Sequence, residues 1–335
     1  MRIKEKGEKN ILNSIIFFTI ILFTISILFT ISFSFINKNI EKNSIETNGI
    51  YLQSISKLRK GHIKTFLEMM ELRMLDFSSD GKIKQCLYDL KYNISTGCDN
   101  QELTNHLIIN KLPIINNLEY LSVLNTNGTI ISSTNPKHIG YERKDKKYFI
   151  NGKIDPYFGG LFYSEITKSK LFVVSAPVIK ETELVGVIVG VIDPKELYQI
   201  LQDSEDIAGN LYLTNNRGEL INPSKYLSGK NQGVLSQIID TQNLIECLHD
   251  INDEPGHQLH ESEGEHKVYT FEDFRGEKVL GTHEVIKNGD WCILSEIDYK
   301  NQDIVNIKYF YFIEIILILI IITLISYRNI KIKLN

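Results

Sequence analysis

Long apolar segments near both ends dominate the hydropathy pattern of this 335-residue chain. Ile11–Ile36 carries no charged side chain, and Tyr309–Tyr327 carries one, Glu314. A helix of either length spans the roughly 30 Å hydrocarbon core of a bilayer. Basic residues lie on the terminal side of each segment, which predicts two transmembrane helices with both termini in the cytoplasm. Glu314 lies near the outer interface and is a candidate for signalling or partner contact.

The first apolar segment could alternatively be a cleaved signal peptide. Its apolar run is longer than the usual core of about 7–15 residues, and no small-residue cleavage site follows at Asn37-Lys38-Asn39. We therefore expect a retained membrane anchor.

Helical periodicity continues beyond the first span. Apolar side chains recur mostly at steps of three or four residues, which predicts a long helix over 38–78. The stripe comprises Ile55, Leu58, Phe66, Met70, Met74 and Phe77. It could pack on its own domain or on a partner helix in a homodimer, and spacing does not choose between them.

After Pro113 the pattern changes to short β-strands. Asn127-Gly128 between the apolar runs Leu118–Asn125 and Thr129–Ser133 predicts a hairpin. Phe172–Ile179 and Leu184–Ile192 predict a second antiparallel pair. Pro194 then opens a predicted helix at Lys195–Gln202.

This pattern recurs about 90 residues later. The stretch LYLTNNRGELINP (211–223) repeats LSVLNTNGTIISS (121–133), and predicted strands follow at Val268–Phe274, Lys278–Val285 and Trp291–Ile297. A repeat of this length predicts two tandem α+β modules, each an antiparallel sheet with covering helices.

Charge and motifs restrict the function. The segment between the spans has more acidic than basic residues, which argues against nucleic acid as a partner. No Walker loop, nucleophile elbow or zinc-protease motif occurs, so we expect neither an enzyme nor a cofactor. Few residues follow the second span, so we expect signalling output from another chain or from a longer receptor.

Four cysteines lie in the outer segment, and an even number outside the cytoplasm allows two disulfides in three pairings. The short separation of Cys86 and Cys98 favours that pair. Cys247–Cys292 is less strongly indicated, and four buried free thiols are the alternative. We expect no metal site, because Cys-x-x-Cys is absent and the group His257, His260 and His266 is more typical of a solvated loop.

Together these features resemble the double Cache domain, a PAS-like extracytoplasmic sensor of bacterial transmembrane receptors. The resemblance covers about residues 38–305. It rests on the architecture and on LNTNGTIISSTNPKHIG, KKYF, SAPVI and GVIVGVID in this order.

The resemblance also implies a ligand site in the membrane-distal module. In amino-acid-binding members an Arg and an aromatic pair hold the carboxylate, and a Tyr and two Asp meet the ammonium group. The corresponding positions here are Lys146, Tyr148, Phe149, Tyr163, Glu165 and Asp193. Lys replaces Arg and Glu replaces Asp, which weakens bidentate carboxylate binding and leaves an anionic pair beside aromatic walls.

Each of these residues also has a purely structural interpretation. Asp193 precedes Pro194 and could cap the following helix. Tyr148 and Tyr163 could be half-buried packing residues. Lys146 and Glu165 could lie on solvated surfaces.

We therefore expect a sensor at the plasma membrane that binds a small polar ligand, with amines or amino acids favoured. We expect it to form a homodimer or to bind a partner signalling protein of the histidine kinase, cyclase or chemoreceptor type. The alternative is an interaction protein that binds no small molecule and docks a partner receptor or kinase. The expected organisation is a cytoplasmic N-terminus (1–10), transmembrane helix (11–36), stalk helix (37–80), distal module (81–205), proximal module (206–305), transmembrane helix (306–327) and tail (328–335).

Overall fold

The computed structural model describes residues 2–94, 98–202, 209–227, 233–252, 268–286 and 290–299, with positions 318, 321 and 322. The chain divides into two compact units, 1–50 with 299–335 and 51–298. The second unit contains two antiparallel sheets and is α+β. The second predicted span and the group His257, His260 and His266 lie outside the described residues, apart from three positions of the span.

The first helix, α1 (Arg2–Ser79), is the longest element. Within the described residues, Phe23–Ser79 is the one helical stretch that is long and apolar enough to cross a membrane. In the second unit its buried stripe comprises Leu52, Ile63, Phe66, Leu67, Met70, Met74 and Phe77. The expectation that Leu58 belongs to this stripe is wrong, because the 3.6-residue period passes through Ile63 and leaves Leu58 about half exposed.

The remaining helices are short and cover the sheets. They are α2 (Gly81–Tyr92), α3 (Asn100–Asn110), α4 (Lys147–Gly152), α5 (Lys195–Gln202) and α6 (Gln242–Asn252). Single 3-10 turns lie at Leu112–Ile114 and Pro136–His138.

Five strands form the distal sheet in the order β2-β1-β5-β4-β3. They are β1 (Leu118–Leu124), β2 (Ile130–Ser133), β3 (Tyr157–Ser164), β4 (Ser169–Lys180) and β5 (Glu183–Ile192). Both predicted antiparallel pairs form. The sequence pattern missed β3, because Gly159 and Gly160 interrupt its alternation and a bulge falls there.

The proximal sheet has the order β6-β9-β8-β7. Its strands are β6 (Asn210–Thr214), β7 (Tyr269–Glu272), β8 (Lys278–Ile286) and β9 (Trp291–Asp298). The predicted strand Glu219–Ile221 does not form a ladder. It makes only isolated bridges, Thr214 with Leu220 and Glu219 with Ile238.

A shared core joins the two sheets. The inner face of the distal sheet packs on α1, α2 and α3, and the same cluster includes Trp291 and Ile293 of β9. The Trp291 ring lies 5.6 Å from both the Phe158 and the Phe172 ring, measured between centroids. Two disulfides fix the covering helices. Cys86–Cys98 ties α2 to the segment before α3, and Cys247–Cys292 ties α6 to β9.

Candidate functional site

The outer face of the distal sheet, opposite α1, carries a separate buried cluster. Alternation along β4 and β5 directs Leu171, Val173, Val187, Val189 and Val191 to this face, where Phe149 of α4 covers them. Tyr120, Tyr148 and Phe162 pack at its border and are only partly buried. The face is therefore apolar at its centre and aromatic at its edge, which is typical of small-molecule sites.

Helix α4 is held directly against β4. The Ser175 hydroxyl donates to the Tyr148 carbonyl at 2.6 Å. A Cβ on Gly152 would lie 2.3 Å from Ser175 Oγ, so only glycine permits this approach. These two contacts determine where Tyr148 and Phe149 meet the sheet.

A histidine closes one end of the cluster. His138 ends the 3-10 turn after β2 and is only 3% exposed. Its ring meets the Tyr120 ring edge to face, with centroids 4.2 Å apart. Its Nε2 atom is buried and has no hydrogen-bond partner. A buried polar atom without a hydrogen bond lowers the stability of a protein by about 1–3 kcal/mol unless a ligand or water binds it.

The β1–β2 turn positions the loop of Arg143, whose guanidinium lies 5.2 Å from the centre of the Tyr141 ring and near enough to His138 to affect its pKa. The Arg143 N–H donates to the Gly128 carbonyl at 2.7 Å. Gly128 has φ +86°, and a Cβ there would lie 2.7 Å from the Lys144 Cα atom. The turn predicted at Asn127-Gly128 thus also determines the course of the segment that carries Arg143.

Four residues affect one another's pKa values. We name them the distal cluster: Tyr120, His138, Arg143 and Tyr148. Burial, and then the charge of Arg143, lower the pKa of His138. Burial, reinforced by Tyr148, raises the pKa of Tyr120 to about 12 against the effect of Arg143. Burial likewise raises the pKa of Tyr148. At neutral pH the cluster therefore offers one cation, two phenol donors and a neutral imidazole.

This arrangement suits an oxygen-rich ligand. A guanidinium with adjacent hydroxyl donors is complementary to a carboxylate. The valine floor and aromatic edge would contact an apolar portion of the same molecule.

The residues implied by the resemblance lie in several places. Tyr148 and Phe149 lie together on α4 and pack on the apolar cluster. Lys146 precedes α4, and its side chain is exposed. Asp193 follows β5, where its Oδ1 accepts from the Lys195 N–H at 2.8 Å and caps α5.

Tyr163 and Glu165 do not join the cluster. Alternation along β3 gives the outer face to Phe162, so Tyr163 faces the other way and is 45% exposed. Glu165 lies in the following turn, where it pairs with Lys168 at 2.7 Å and its side chain is 78% exposed.

Sequence reasoning missed Tyr120, His138 and Arg143. Tyr120 carried a usable signal, because it is a polar aromatic residue in an apolar strand. His138 and Arg143 lie in loops, and only the folded turn shows that they converge. Among the described residues, no group of three or more His, Cys, Asp or Glu side chains could hold a metal.

The fold and this cluster define a PAS-like sensor domain. The chain matches the Cache domain family (dCache_1) over residues 32–302 and belongs to it. Cache sensor domains of chemoreceptors and histidine kinases bind ligands and are not catalytic. No curated protein matches the chain.

Several solved structures share the fold. The ligand-binding domain of the Pseudomonas aeruginosa PAO1 amino acid chemoreceptor PctC, in complex with GABA, has a TM-score of 0.52 at 16% identity, covering 75% of this chain and 100% of that one. The sensory domain of the Campylobacter jejuni chemoreceptor Tlp3 (CcmL) has a TM-score of 0.53 at 14% identity, covering 78% and 98%. The V. cholerae histidine kinase DctB sensor domain has a TM-score of 0.52 at 12% identity, covering 76% and 98%.

Proposed function

We propose that this chain is a membrane-anchored extracytoplasmic sensor whose distal module binds a small polar ligand of the amino acid or amine class. The observation that carries the proposal is His138, a buried imidazole with an unpartnered Nε2 atom beside Arg143 and two protonated phenols. A ligand that forms a hydrogen bond with this atom would remove the cost of burying it unpaired.

The donor set favours a ligand with a carboxylate group. In this proposal Arg143 and the phenols of Tyr120 and Tyr148 hold the carboxylate. Arg143 thereby takes the role that the resemblance gave to Lys146, and Asp193 remains the candidate partner for an ammonium group. The PctC domain was solved with GABA, which carries both groups and so supports this ligand class.

The signal would pass through the sheet to the long helix. On the inner face, a Cβ on Gly190 would lie 2.8 Å from Met74 Sδ, so β5 and α1 are in close contact. Ligand on the outer face would favour one of two arrangements of sheet and helix. We propose that two transmembrane helices transmit this change, with both termini in the cytoplasm and output from a separate kinase, cyclase or chemoreceptor-type module.

Thermal unfolding of the full chain in detergent tests the proposal. The screen uses amino acids, amines, simple carboxylates and nucleobases, followed by the fluorescence of Trp291. A ligand at 100 times its dissociation constant adds about 2.7 kcal/mol, or roughly 5–10 °C for a unit of this size. Arg143→Gln should abolish the shift, while the matched surface control Lys146→Gln should retain it.

Equal loss in both variants would contradict the assignment of Arg143. A folded chain that responds to no compound would contradict the sensor proposal. It would favour the interaction protein, and purification of the full chain with its partner would then be the next experiment.

A further inference from the structure

The outer face of the proximal sheet contains polar side chains at buried positions. Asn210, Tyr212 and Thr214 alternate along β6 and point to one face, and Glu296 of β9 lies opposite Asn210. All four are at most 6% exposed. Apolar neighbours surround them, including Leu294 and Cys292 on β9.

Several polar atoms of this group have no partner. The Tyr212 hydroxyl, the Asn210 Oδ1 atom and the Thr214 hydroxyl are buried without a hydrogen bond, and the Asn243 amide is the one hydrogen-bonding neighbour of the Glu296 carboxyl group among the described residues. Native interiors leave few such atoms unpaired, so this group of buried polar atoms calls for hydrogen-bonding partners. Burial, and then the Asp273 carboxylate, raise the pKa of Glu296 to about 8, while the Asn243 amide and Arg275 oppose the rise.

The neighbouring arginine, Arg275, already forms ion pairs with two other carboxylates. Arg275 Nε pairs with Asp273 Oδ2 and its Nη2 with Asp298 Oδ1, each at 2.5 Å. Its guanidinium also lies 3.9 Å from the centre of the Tyr226 ring. One guanidinium therefore lies near three carboxyl groups, counting Glu296, and pairs with two of them, Asp273 and Asp298.

The chemistry of the unpaired atoms selects the ligand. The carboxylate and amide oxygens only accept hydrogen bonds, and the hydroxyls can do so too. A group that donates several hydrogen bonds and carries positive charge would satisfy them and stabilise the ionised form of Glu296. Tyr212 and Tyr226 add aromatic faces that attract a cation.

We propose that the proximal module contains a second binding site, for a small molecule with an ammonium group, in which Glu296 is the counter-ion and Asn210 and Tyr212 complete the hydrogen bonding. An ordered water could satisfy some of the same atoms but could not neutralise Glu296 once it ionises, above about pH 8. The site lies on the proximal sheet and is separate from the distal cluster.

Amines that lack a carboxylate cannot use the carboxylate-binding residues of the distal cluster, and variants of each site separate the two. Methylammonium, ethanolamine and 1,4-diaminobutane are titrated calorimetrically into the full chain in an amine-free buffer at pH 8.5, with uncharged methanol and ethylene glycol as controls. At least one amine should bind and the uncharged controls should not. Glu296→Gln should weaken that amine at least tenfold, and Tyr212→Phe should weaken it severalfold.

Two control variants make the result specific. Glu272→Gln changes an exposed carboxylate on β7 of the same sheet, and Arg143→Gln disables the distal cluster. Both should retain amine affinity within about twofold. Absence of binding by the folded wild type, unchanged affinity in Glu296→Gln, or equal loss in Arg143→Gln would each overturn the proposal.

Discussion

The buried carboxyl group of Glu296 should give the chain a pH-dependent stability that Glu296→Gln removes. Burial first, and Asp273 second, raise its pKa from 4.5 to about 8. The unfolded side chain loses its proton near pH 4.5, whereas the folded one keeps it to about pH 8. The free energy of unfolding therefore falls as the pH rises through this interval. At about 1.4 kcal/mol per pH unit, the loss is roughly 5 kcal/mol.

Urea unfolding of the full chain in detergent, followed by Trp291 fluorescence, measures this effect. Trp291 is the single tryptophan and is buried between the two sheets, so its emission reports the loss of the shared core. Wild type should lose about 5 kcal/mol relative to Glu296→Gln between pH 4.5 and 8, because the comparison cancels the other titrating groups. Amine-free buffers keep the proposed ligand absent. Parallel curves for the two proteins would refute the reasoning.

Three further predictions concern separate parts of the fold. Replacing Cys247 and Cys292 by alanine should cost about 4 kcal/mol in non-reducing urea unfolding, because the disulfide spans 45 positions; a loss under 1 kcal/mol would contradict this. Gly128→Ala should weaken ligand binding at least tenfold by calorimetry, since the φ of +86° at Gly128 and the nearby backbone exclude a Cβ. Unchanged affinity would show that the turn does not position the site. Burial would raise the pKa of Asp80, but Lys111 and the α2 backbone lower it to about 2. Asp80→Asn should therefore lower the free energy of unfolding by about 2 kcal/mol at pH 7 and by little below pH 2. Equal losses at the two pH values would refute this prediction.

Much of the fold follows from local patterns in the sequence. The strands β4 and β5 are rich in Val and Ile, and Asn127-Gly128 has the backbone freedom that its hairpin requires. The edge strand β3 was not predictable, since its two glycines break the alternation and its pairing with β4 alone makes it a strand. The error at Leu58 has a similar origin, because the sequence of this helix is compatible with two apolar stripes and tertiary packing determines which one is buried.

The site was less predictable than the fold. The resemblance to the double Cache domain placed the cation at Lys146, three residues before Phe149. The structure instead places Arg143 close enough to His138 and Tyr120 to affect their pKa values, on a loop that a backbone hydrogen bond to Gly128 directs. Glu296 had a weak sequence signal, since a carboxylate stands within the apolar run Trp291–Ile297. Its significance depends on Asp273 and Arg275, whose proximity depends on tertiary structure.

The most direct test of the sensor account is a structure of the full chain bound to the ligand that the thermal screen identifies. The account predicts that the ligand lies between α4 and the outer face of the distal sheet. Its carboxylate should lie within hydrogen-bond distance of the Arg143 guanidinium, and one of its polar atoms should meet His138 Nε2. A ligand that lies elsewhere, with Arg143 and His138 still without contact to it, would contradict the account.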